Sequence, residues 1–253
     1  MHGVITIGES MERKALFILL CSYILVLSLD AGAAERNRFC KVASYTFMGL
    51  IEDIAAADPK YRFGEVICKA GGGTGCSLVS NIGEGICKAG KGSGCSLVTS
   101  IGECICRAGG GSSCALVSNP GEGICKAGDG SSCSLVSSVG EGICKAGGGS
   151  SCSLVSSVGE GICKAGGGSS CSLVNKMGEG ICQASGVYSC SLVSSLSEGI
   201  CKGAGVNCNN TTIEEALCKA AGASNCSGVT FSQLLAFYIE TCGIQIFYNY
   251  KTE

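Results

Sequence analysis

Twenty-two cysteines in 253 residues are the side chains here with the most chemistry to offer, and their spacing narrows what that chemistry is. One series falls at Cys68, Cys87, Cys106, Cys125, Cys144, Cys163, Cys182 and Cys201, each 19 residues after the last, followed by Cys218. A second keeps the same step through Cys76, Cys95, Cys114, Cys133, Cys152, Cys171 and Cys190, followed by Cys208 and Cys226. In an oxidising compartment such regular spacing reads as a disulfide framework. The natural pairs lie across each glycine-rich turn, from Cys68/Cys76 through Cys201/Cys208 to Cys218/Cys226. Cys40, Cys104 and Cys242 stand outside them as free or intermolecular thiols, with a Cys40/Cys104 bond as another arrangement.

The competing chemistries fit less well. Zinc-type sites use close cysteine pairs together with a second cluster or histidines. Here seven residues separate most partners, Cys104 and Cys106 form the only CxC, and His2 is the only histidine. Thiol redox or metal binding through Cys104 and Cys106 is therefore an alternative reading, and no metal or cofactor is expected. Catalysis is not expected either, because the serines lack an evident base or oxyanion site. Glu160 and Lys164 recur too evenly along the chain to mark one active site.

The compartment is read from the N-terminus. Met11, Glu12, Arg13 and Lys14 precede an apolar run from Ala15 to Leu29, and Ala31, Gly32 and Ala33 give a small-x-small cleavage pattern. Residues 1–33 thus read as a signal peptide, with Met11 an alternative start and cleavage after Ala33 or Ala34. A membrane anchor would need roughly 20 apolar residues, and this run is shorter. Cleavage removes Cys21 and leaves 21 cysteines, an odd number. The expected location is secreted, periplasmic or cell surface, with no membrane span after cleavage. A net charge of −2 provides no basic field for nucleic acid.

These cysteines must be positioned by a repeat, GEGICKAGGGSSCSLVSSV from Gly140 to Val158 in its clearest copy. A period of this size means stacked units that touch only their neighbours. Leu154, Val155, Val158, Ile162 and Cys163 lie at offsets 0, 1, 4, 8 and 9, which trace one helical face. Glu precedes Lys or Arg by four residues in eight copies, as in Glu160/Lys164, and reads as a solvated helix face. Ser157 with Glu160 and Thr230 with Gln233 match the capping box, and Asn119-Pro120 a helix start. Two glycines inside such a helix each cost about 1 kcal/mol relative to alanine, which a staple worth roughly 2 to 3 kcal/mol offsets.

The expected fold is all-α: a disulfide-stapled solenoid of short antiparallel helices of about 13 residues, two making a 38-residue hairpin. A β-solenoid or a short βα repeat, with CSLVSS as its strand, is the alternative. Aromatic residues gather at the ends, Phe39 to Phe63 and Phe231 to Tyr250, with only Tyr188 between. Residues 35–63 read as an N-terminal helical cap, broken from the array at Asp58-Pro59. Residues 64–208 form the array, and 209–253 a divergent repeat and C-terminal cap. Asn209, Asn210 and Asn225 head glycosylation sequons.

With two cysteines seven residues apart in each presumed hairpin, the Cys68 to Cys226 span resembles the cysteine-rich Sel1-like repeat proteins of bacteria. That resemblance implies an exported α-solenoid used for binding. The expected function is an exported scaffold for an unknown protein or surface ligand, with oligomers available through an odd cysteine. Regularly repeated serine and glycine rows make binding to ice or another ordered solid an alternative.

Overall fold

A computed structural model describes residues 33–248. The expected signal peptide lies outside the described residues apart from Ala33, as does the tail 249–253. Twelve α-helices are described: α1 (Ala33–Gly49), α2 (Ile51–Tyr61), α3 (Phe63–Ala70), α4 (Ile82–Ala89), α5 (Ile101–Ala108), α6 (Pro120–Ala127), α7 (Val139–Ala146), α8 (Val158–Ala165), α9 (Met177–Ala184), α10 (Leu196–Ala204), α11 (Ile213–Ala220) and α12 (Phe231–Cys242). Successive helices pack on one another along an all-α solenoid, and among the described residues there is no strand. The β-solenoid and βα alternatives are thereby overturned, because the CSL segment winds into a 3₁₀ turn instead of extending.

One unit shows why the sequence folds this way. The Ser138 hydroxyl accepts the Glu141 N–H at 3.1 Å, capping α7. The helix ends in paired bonds from Gly149 N–H to Cys144 O at 2.8 Å and from Gly148 N–H to Lys145 O at 3.1 Å. That closure places Gly148 at φ +73°, where glycine has no side chain to strain. The chain then turns through Cys152–Leu154 and runs extended from Val155 to the next cap, Ser157.

This geometry corrects the expected antiparallel hairpin. The repeat helices have eight residues, nine in α10, and consecutive regular ones run in the same direction. Gly142, early in α7, lies against Gly121, early in α6, while Gly147 at the end of α7 lies against Ala165 at the end of α8. An eight-residue helix is about 12 Å long, and about four extended residues cover the same distance back. Each unit therefore returns to its starting face before the next helix begins.

The glycines permit that close stacking. A methyl group at Gly142 would lie 2.1 Å from the Gly121 carbonyl oxygen, so the backbones approach where no side chain fits. The Ser138 hydroxyl donates to Val155 O of the following unit, and Lys145 Nζ donates to Ser132 O of the preceding one.

The terminal segments are not caps at opposite ends. They meet inside the array, joined by a Cys40–Cys242 disulfide between α1 and α12. Helix α1 packs on α7, α8, α9 and α10, and α12 packs on both α11 and the first repeat helix, α3. Phe231 of α12 stacks edge-on against Phe63 of α3 with ring centroids 5.9 Å apart, and the Tyr238 hydroxyl donates to Leu217 O of α11 at 2.7 Å. The array thus closes on itself. Ile67, Ile86, Ile105, Ile124, Ile143, Ile162, Ile181 and Ile200 are fully buried in the same core as Phe39, Phe47 and Phe247.

Two local boundaries also differ from expectation. The N-terminal helical segment expected over residues 35–63 breaks at Leu50 into α1 and α2. The break foreseen at Asp58-Pro59 falls at Arg62, where φ is +53° and the buried Asp58 carboxylate accepts the Gly64 N–H at 2.6 Å.

Candidate functional site

The disulfides fix what each repeat can present. The structure joins Cys68–Cys76, Cys87–Cys95, Cys106–Cys114, Cys125–Cys133 and Cys144–Cys152. It likewise joins Cys163–Cys171, Cys182–Cys190, Cys201–Cys208 and Cys218–Cys226. Each ties a repeat helix to the 3₁₀ turn or loop that follows it. In the regular repeats the first cysteine sits at the sixth helical position, next to the inward isoleucine, so its sulfur faces the returning segment. The valine one residue after the turn packs on the bond, as Val155 does on Cys144 and Cys152.

Holding cysteine and valine inward turns the two residues between them, a serine or alanine and a leucine, outward. Leu78, Leu97, Leu116, Leu135, Leu154, Leu173 and Leu192 are 81–88% exposed, one in each of seven consecutive repeats. Sequence periodicity placed Leu154 on the core stripe, and the 3₁₀ turn reverses that assignment. Around it Ser151, Ser153 and Ser156 are exposed, so the leucine stands in an uncharged hydroxyl frame. The row stops where Asn210 and Gly228 hold the leucine position of the last two stapled units. Exposed Asn209, Asn210 and Asn225 lie in this same sector.

The charged residues do not form the solvated face expected of them. Glu84, Glu103, Glu122, Glu141 and Glu160 are buried, and each meets the lysine or arginine four residues on, as in Lys145 Nζ to Glu141 Oε1 at 3.1 Å. The same cation reaches the turn of the preceding unit: Lys88 to Gly75 O, Lys126 to Ser113 O and Lys164 to Ser151 O, all at 3.1 Å. At Glu84, burial opposes ionisation, but hydrogen bonds from Lys88 and from the Ser80 N–H and hydroxyl hold the carboxyl below its usual range. The Ser194 N–H and Lys202 do the same at Glu198. These pairs clamp neighbouring repeats and are committed to structure.

The three cysteines outside the repeat pairs have separate fates. Cys40 and Cys242 bond each other, and Cys104 is a buried free thiol. The Cys40–Cys242 bond rules out the Cys40–Cys104 pairing, and Cys104 packs against Gly83 of the adjoining helix. Cys106 is bonded to Cys114, so the CxC is not a dithiol. Burial, reinforced by the Glu103 charge, pushes the Cys104 thiol up to about 12. Among the described residues no cluster of histidine, cysteine, aspartate and glutamate could hold a metal ion.

Fold and surface together define a disulfide-stapled, all-α repeat array that displays a leucine row. Ten disulfides point to an oxidising, extracellular environment. Among the described residues no helix is long and apolar enough to cross a membrane. Comparison with protein-family models, with curated proteins and with solved structures gives no match.

Proposed function

We propose that the protein is an exported, non-catalytic interaction scaffold whose leucine row docks a protein partner. The carrying observation is the row itself: seven leucines, each more than four-fifths exposed, at the same place in seven successive repeats. A lone exposed leucine needs no explanation, whereas a contiguous apolar set marks an interaction surface. Burying one leucine side chain is worth about 1.5 to 3 kcal/mol. Repeating it on one rigid frame adds effective concentration to each further contact.

Export rests on the disulfides and on the N-terminal signal pattern. Sequencing the mature protein should find an N-terminus at Ala34 or Glu35, and a retained Met1 or Met11 would refute cleavage. For docking, a photo-crosslinking side chain placed at Leu135 in producing cells should give adducts of discrete mass. Those adducts should vanish when Leu116 and Leu154 become serine. Equal labelling with and without the flanking leucines would defeat the reading.

A further inference from the structure

We infer that a cleft at the seam of the closed array binds a small organic cation, an ammonium group carried on an alkyl or aryl body. The cleft encloses about 690 Å³ between α2, the start of α3, the start of α11 and the segment leading into α12. That size falls within the range of small-molecule sites. None of the seven row leucines lines it, and the inference is independent of the scaffold reading.

The seam differs from the contacts between the regular, glycine-bearing repeat helices. Regular repeat helices meet through glycine, backbone against backbone, whereas α12 meets α3 through Phe231 on Phe63. Two aromatic rings keep these backbones apart, and Leu50, the N-cap of α2, and Ile54 within α2 line the gap. Phe231 is only partly buried, so the cleft offers it to a ligand. An apolar body fits such a lining, and an aromatic face also attracts a cation within about 6 Å of its centre.

The polar groups set the sign of the charge. Asp53, Glu214 and Glu215 line the cleft, and none of its fourteen lining residues is basic. Glu215 is occupied in the capping box with Thr212. Among the described residues no hydrogen bond or ion pair engages Asp53 or Glu214. At the N-termini of α11 and α12 the capping boxes already occupy the Thr212 and Glu215 N–H groups and the Thr230 and Gln233 N–H groups. An apolar cleft with two uncommitted carboxylates is complementary to an amphiphilic cation and repels the matching anion.

Calorimetric titration of the oxidised protein at low salt tests this. The probes are octyltrimethylammonium and octyl sulfate, both below their micelle concentrations. The cation should bind more tightly by about ten-fold or more, as expected of two partly exposed carboxylates. Asp53→Asn with Glu214→Gln should erase the difference, and Leu135→Ser with Leu154→Ser should leave it intact. Equal affinity for both probes, binding of neither, a preference that survives loss of the carboxylates, or one that disappears with the leucines would each overturn the inference. The last outcome would move the site to the row, while failure of every arm would leave the protein-docking role of the row to its own experiment.

Discussion

At the residue scale, chemically similar side chains have opposite roles, and packing alone separates them. Cys104 takes the helical position that glycine holds at Gly123 and Gly142. Where Gly121 approaches the cap carbonyl of the next unit, the equivalent Gly83 meets the Cys104 sulfur instead. Buried and held protonated up to about pH 12, this thiol should resist iodoacetamide in the native protein at pH 8. It should be alkylated once per chain after unfolding without reductant, as read by mass spectrometry. Leucine and isoleucine divide the same way. Leu154→Ser should change stability by no more than about 0.5 kcal/mol, as for an ordinary surface site. Ile162→Ala, at a fully buried position, should cost about 2 to 5 kcal/mol in denaturant unfolding.

At the scale of the element, the eight-residue helix is held by its neighbours more than by its own propensity. Gly142→Ala should raise intrinsic helix stability by about 1 kcal/mol. The added methyl meets the Gly121 carbonyl at 2.1 Å, and backbone cannot move aside as a flexible side chain would. Net destabilisation of about 1 to 3 kcal/mol is expected, and a stabilised variant would show that the helices are not in backbone contact. The glutamate clamps add a pH dependence. Ion pairs and hydrogen bonds hold the Glu65, Glu84 and Glu198 carboxyls below the ordinary value of 4.5, so their contribution is fully present above that pH. It is lost as pH falls through the lower folded values, so melting temperature should decline on acidification below about pH 4.5. The decline should be shallower in Glu84→Gln.

Much of this element is legible in the sequence. Ser157 with Glu160 announces the cap, the glycine triplet announces the stop, and the regular cysteine spacing suggests the staple. The direction of the next helix is less legible, because GGGSS is compatible with reversal and only the 3₁₀ turn with its extended return brings the chain back to the same face. For the same reason helical periodicity counted Leu154 and Val155 together, although the turn separates them into outward and inward residues. The Glu–Lys spacing correctly marks an ion pair, but burial of Glu160 comes from the adjoining unit, which a single repeat cannot reveal.

At the scale of the whole molecule, the decisive feature is what fills the centre. Small and aliphatic repeat residues form a wall of isoleucines, and the bulk needed inside comes from the aromatic termini. The clustering of Phe39, Phe47, Phe231 and Phe247 at the chain ends was visible in the sequence. Their meeting was not, because it depends on the curvature summed over all units. One covalent bond records that meeting: Cys40–Cys242 spans 202 residues, whereas most repeat staples span 8. By loop entropy the long closure is worth about 5 kcal/mol and a short one about 2.6 kcal/mol. Cys40→Ser with Cys242→Ser should therefore lower unfolding free energy about twice as far as Cys144→Ser with Cys152→Ser. The first pair should also weaken the seam, seen as faster hydrogen exchange in α1, α3 and α12, while the second should raise exchange only around α7 and its turn. Equal losses with the same local pattern would mean that the termini are held inside by packing alone, and that the closed array owes nothing to its longest disulfide.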